Sequence, residues 1–192
     1  MLIMRMLSIV ANIQLFISVV AEDPLLLECA YETAEYFCDD IKWALQYNRE
    51  AVKFLNNLQY LWKNAANGIK RINQADKLLQ DLLTKTNQKE LIDPLKRALK
   101  AELGALTQSK VGCFTDKELD EPTKEQYCGR AYGYIGQAIL KLIDAIVEVY
   151  PDERKRSKIE ELFGNFHIQF PNAAINVPNE AYKLAENVLA AM

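Results

Sequence analysis

Residues 39–68, DDIKWALQYNREAVKFLNNLQYLWKNAANG, decide the fold class. Ile41, Leu45, Val52, Leu55 and Trp62 recur at steps built from three and four residues, the spacing of one face of an α-helix. Trp43, Tyr47, Phe54, Leu58 and Leu61 add a second apolar stripe, so this helix should be covered on two sides. Asp39 and Asp40 favour its start and Gly68 its end, as a C-terminal cap or a kink. The stretch is therefore expected to be the central core helix.

The same helical spacing extends outward in both directions. Upstream, Asp23-Pro24 has the chemistry of a helix start, and the helix it opens would carry Cys29, Tyr31, Tyr36 and Phe37. Downstream, Ile72, Ala75, Leu78, Leu79, Leu82 and Leu83 mark another helix ending near Thr86. Asn87 with Glu90, or Asp93 with Pro94, begins the next, which would bury Leu95, Ala98, Leu99, Leu103 and Leu106 and end near Thr107. Residues 107–121 are polar and read as a connector with a short helix at Thr115 and Glu118. Pro122 opens a helix running through Cys128 to Tyr150, and Pro151 stops it. A charged helix over 152–163, an irregular stretch over 164–178 and a last helix over 179–191 complete the chain. The fold class expected is all-α, a helical bundle; few of its 192 residues are helix breakers (seven Gly, six Pro).

A weak internal repeat accompanies this pattern. Cys29 to Cys113 spans 84 positions, Cys38 to Cys128 spans 90 and Pro94 to Pro178 again 84. Each half reads as cysteine pair, long apolar helix, second helix and Pro-started helix, which suggests related halves over 22–106 and 107–192 in one compact domain.

Residues 1–21 read as a signal peptide. Arg5 supplies a charged n-region, Met6 to Val20 an apolar core, and Val19-Val20-Ala21 a cleavage site before Glu22. The run is interrupted by Asn12 and Gln14 and is short of the ~20 apolar residues that span a bilayer. The mature chain is thus expected to be secreted and extracellular, with no membrane insertion. Its charge, −3 for the whole sequence, argues against nucleic acid, which needs a basic face.

Cys29, Cys38, Cys113 and Cys128 all fall after the leader, and an even count in an exported chain points to two disulfides. Zinc is disfavoured because neither pair has the short C-x2-C spacing. Were Cys29 and Cys38 on one unbroken helix, about 13 Å of rise would part them, beyond the ~7 Å Cα separation a disulfide tolerates. Each would then bond to Cys113 or Cys128 and stitch the halves together; three connectivities remain open, with Cys29–Cys38 the least expected unless that helix breaks.

No catalytic, cofactor-binding or metal-binding constellation emerges. His167 is the only histidine, and Ser109 and Ser157 lie in plain contexts, so no nucleophile-base pairing is legible. Asp39-Asp40 and Glu160-Glu161 sit where caps and solvated faces want acids. Arg154-Lys155-Arg156 reads as an exposed basic turn before it reads as a processing or anion site. The aromatic residues fit a core first, then a ligand cavity or a partner anchor.

Two separated cysteine pairs, each with tyrosine at or near its second cysteine (Tyr36-Phe37-Cys38 and Tyr127-Cys128), resemble the bicycle proteins of aphids, named for paired Cys-Tyr-Cys motifs. The likeness spans nearly the whole mature chain, with Phe37 departing from the strict motif. It implies a salivary effector delivered into plant tissue and acting on host proteins. The alternatives are a helical salivary inhibitor of host defence in blood-feeding insects, which Ser109-Lys110-Val111-Gly112-Cys113-Phe114 resembles in passing, and a secreted carrier of a small hydrophobic ligand. The function expected is non-enzymatic binding of an unidentified host protein.

Overall fold

A computed structural model describes residues 37–58, 63–83, 91–115, 121–170 and 178–192. The expected signal peptide, the helix from Pro24, Cys29 and the cap at Asn87 and Glu90 lie outside these residues. What is described is helical: α1 Phe37–Leu58, α2 Lys63–Leu83, α3 Ile92–Thr115, α4 Glu121–Lys124, a π-helical turn Glu125–Gly129, α5 Arg130–Val149, α6 Glu153–Gln169 and α7 Pro178–Ala191. The all-α bundle expected from the periodicity is the fold.

The expected helix boundaries shift at four places. Residues 39–68 do not form one helix; α1 ends at Leu58 and α2 begins at Lys63. Gly68 lies inside α2, where a Cβ would stand 2.7 Å from Ser109 Oγ and 3.6 Å from the Ala105 carbonyl oxygen. Its glycine serves close approach of α2 to α3, not termination. α3 continues to Thr115, through the expected connector; Ser109 and Cys113 are buried along it, and Thr107 donates its hydroxyl to the Leu103 carbonyl at 2.9 Å within the same helix. The boundary expected between 106 and 107 therefore falls within a helix. Likewise α6 runs past Gly164 to Gln169.

α5 takes the central place expected of residues 39–68. Ile135, Ala138, Ile139, Leu142, Ile143 and Ile146 are fully buried along it, and it packs against α1, α3, α6 and α7. α1 lies chiefly on α5, and α2 chiefly on α3. A chain turn after Tyr150 is fixed by Asp152, which caps α6 by accepting from the Lys155 amide at 3.1 Å. Tyr150 and Lys155 both donate to the Met192 carbonyl, at 2.7 and 2.6 Å, and so tie α7 to the start of α6.

Cys113 and Cys128 are disulfide-bonded to each other, with Cα atoms 5.9 Å apart and 15 positions between them in sequence. The expected stitching of Cys29 and Cys38 to this pair is therefore not made. The bond instead closes a local loop, joining α3 to the π turn that opens the next helix. Cys38 is disulfide-bonded as well, to a partner outside the described residues.

Candidate functional site

The stripe formed by Trp43, Tyr47 and Phe54 on α1 meets Tyr127, Arg130 and Tyr134 from the π turn and α5. On α1 these residues sit four and seven apart, so they share a face. The rings form a continuous ladder. Trp43 lies 5.8 Å from Tyr47, Tyr47 6.4 Å from Tyr134, Tyr134 6.1 Å from Phe54, and Phe54 6.5 Å from Tyr127, centroid to centroid. The Arg130 guanidinium stands 5.5 Å from the Phe54 ring centre, within cation–π range. Tyr47, Phe54, Tyr127 and Tyr134 are half-buried against the core, whereas Trp43 is 52% exposed. Beside Trp43 a surface cavity of about 460 Å³ is lined by Asp39, Lys42 and Gln46.

An ion-pair bridge fixes the two helices that carry the ladder. Lys141 Nζ of α5 donates to Asp40 of α1 and to Asp144, each at 2.9 Å. Burial pushes the Asp40 carboxyl above the usual carboxylate range despite the lysine beside it. Burial opposes the Lys141 charge, but its bonds to Asp144 and Asp40 prevail and raise its pKa. Asp40, the more buried of the two, would be left without its cation were Lys141 removed, so the pair favours the observed contact of α1 with α5.

A second polar cluster lies in the interior, where α1, α2 and α3 meet. The fully buried Asn48 amide donates to Asp76 Oδ1 at 2.6 Å and to Glu102 Oε1 at 2.7 Å. Burial raises the Asp76 carboxyl to about 6 against the pull of Asn48 and Arg49. Burial, with the neighbouring Asp76 charge, raises Glu102 well above an ordinary glutamate. Asn48 Oδ1 and Glu102 Oε2 have no hydrogen-bond partner among the described residues. Sequence reading missed this cluster, although Glu102 stands three residues after Leu99 and four before Leu106, on the apolar face of α3.

The residues singled out from the sequence do not converge on chemistry. His167 is exposed on α6, edge-on to Phe163 at 4.5 Å and to Phe166 at 5.8 Å. Ser109 is buried and its hydroxyl has no hydrogen-bond partner among the described residues, while Ser157 is exposed. Glu160 pairs with Arg156 at 3.8 Å on α6, and Glu161 is solvated. Asp39 is exposed and Asp40 buried, so the acid pair is divided between solvent and the Lys141 bridge. Arg154-Lys155-Arg156 forms the first turn of α6, with Lys155 occupied by the Met192 carbonyl. Among the described residues no three potential metal ligands cluster, and no helix is long and apolar enough to cross a membrane.

Against known proteins, no family model, no curated protein and no solved structure matches the chain.

Proposed function

We propose that this chain is an exported, non-enzymatic binding protein that engages a partner protein through the aromatic face of α1 and α5. The observation that carries the reading is the five-ring ladder with Trp43 exposed at one end. Trp, Tyr and Arg supply most hot-spot energy at protein interfaces, because they bury large areas at small conformational cost. Here four of the five rings are already immobilised by packing, and the Asp40–Lys141 bridge holds their helices in register, so little ordering remains for binding to impose.

Export and effector action rest on the leader-like residues 1–21 and the four cysteines. The likeness of the cysteine-tyrosine pattern to aphid bicycle proteins points to a salivary effector acting on plant proteins. The test is comparative capture from plant extract with the mature chain and its Trp43→Ala and Tyr47→Ala variants, each first shown by circular dichroism to keep its helicity. A protein retained by the mature chain and lost from both variants supports the reading. Capture of the same proteins by all three chains overturns it.

A further inference from the structure

The sequence carries a net charge of −3, yet one face of the bundle is strongly basic. Between α2 and α3 runs a cavity of about 440 Å³ whose walls include Arg71, Lys77, Arg97 and Lys100. Through Arg71 and Gln74 it continues into a second cavity of about 290 Å³ that adds Lys70, Asn67 and Gln108. Among the described residues Asp81 is the one carboxylate lining either cavity. Arg71 spends one guanidinium nitrogen on Gln74 at 3.4 Å. Lys70, Lys77, Arg97 and Lys100 form no ion pair among the described residues. Elsewhere on the molecule exposed lysines find carboxylates three residues away, as Lys53 does Glu50 and Lys183 does Glu180. The groove thus gathers five cations, Lys70, Arg71, Lys77, Arg97 and Lys100, against one lining carboxylate.

We infer that this groove binds a short acidic peptide segment of a partner protein. Leu78 and Ala101 line it alongside the cations, and the aliphatic stem of Arg71 lies across Gly104, where a Cβ would be only 3.5 Å away. A ligand that fits must alternate apolar and anionic groups. Gln74, Asn67 and Gln108 add amide donors and acceptors suited to peptide backbone groups. From Arg71 to Asp81 the walls extend about 15 Å at helical rise, the span of four or five extended residues. A nucleic acid or a long sulfated polysaccharide would carry many more charges than five cations neutralise and would meet the net negative field of the rest of the molecule.

The groove is on α2 and α3, away from the aromatic ladder, so it is a second interface whose test is separate from that of the first. The probe is a fluorescein-labelled octapeptide of alternating glutamate and leucine, followed by fluorescence anisotropy at low salt and by amide NMR shifts. The mature chain should bind it, with shifts at Leu78, Ala101 and Gln74. An Arg97→Glu/Lys100→Glu variant, altered only at exposed positions, should bind at least about tenfold more weakly, the loss of ~1.4 kcal/mol. Trp43→Ala should leave this affinity unchanged, and a glutamine-for-glutamate peptide should not bind. Equal affinity for the glutamine peptide, no effect of the charge reversal, or tighter binding of a heparin fragment or an oligonucleotide than of the peptide would each overturn the inference.

Discussion

Glu102 is buried, and Asp76 partly buried, beside one neutral amide, and this makes the stability of the bundle depend on pH in an unusual direction. A group whose pKa is raised on folding binds its proton more tightly in the folded chain, so protonation favours folding. For Asp76 the rise from 3.8 to about 6 corresponds to about 3 kcal/mol over the whole titration. Between pH 7 and pH 5 the expected gain from Asp76 alone is about 1 kcal/mol, a shift of roughly 2–4 °C in Tm for a chain of this size. Glu102 adds to it in the same direction, as does the raised Asp40. Lys141, raised as well, titrates at alkaline pH and leaves this window unaffected. The assay is urea unfolding followed at 222 nm at pH 7, 6 and 5, for the mature chain and for Asp76→Asn. The variant keeps an oxygen for the Asn48 amide to donate to and loses the titration. Stability should rise as pH falls in the mature chain and rise by about 1 kcal/mol less in the variant. Identical pH slopes in the two chains, or a mature chain that weakens from pH 7 to pH 5, would refute the reasoning.

Further outcomes follow from the packing. Cys128→Ser opens the 15-residue loop closed to Cys113 and should cost about 3 kcal/mol in urea unfolding, with helicity retained at low denaturant. Gly68→Ala drives a Cβ against the buried Ser109 hydroxyl and should cost roughly 1–3 kcal/mol; adding Ser109→Ala should recover much of it, measured as a double-mutant cycle. Lys141→Met leaves Asp40 desolvated without its cation and should cost about 2–4 kcal/mol at pH 7, a loss that shrinks as the pH is lowered and the raised Asp40 carboxyl is protonated more readily. Trp43→Ala removes a half-exposed ring and should change the unfolding free energy by less than about 1 kcal/mol while weakening partner binding by about 2 kcal/mol or more.

Element type was legible where apolar residues recur without interruption, as on α5, whose Ile135, Ile139, Leu142, Ile143 and Ile146 all proved buried. Element ends were less legible. α1 stops at Leu58 and α2 starts at Lys63, yet the sequence has no glycine or proline there and its apolar spacing continues through Trp62, so this helix end carried no local signal. Conversely Gly68, a residue that resembles punctuation, sits mid-helix because two backbones approach there. Polar residues at 107–110 resembled a loop, yet Thr107 satisfies its hydroxyl inside its own helix, a bond that composition does not reveal. The ladder was half-visible, since the second stripe of α1 could be read but not its pairing with Tyr127 and Tyr134 on a later helix. The buried acids were hidden by their type. Asp76 and Glu102 gave no signal because carboxylates are rarely interior, and it is the Asn48 amide, contributed by a third helix, that bonds to both.

On the function proposed above, a partner protein is met by the aromatic face of α1 and α5. The most direct test is a photo-crosslinking residue placed at Tyr47, with a matched one at the solvated Glu161 of α6, irradiated in the presence of plant extract. A discrete protein adduct from position 47 that is absent from position 161 is the predicted result. Adducts of the same mass from both positions, or none from position 47, would contradict it.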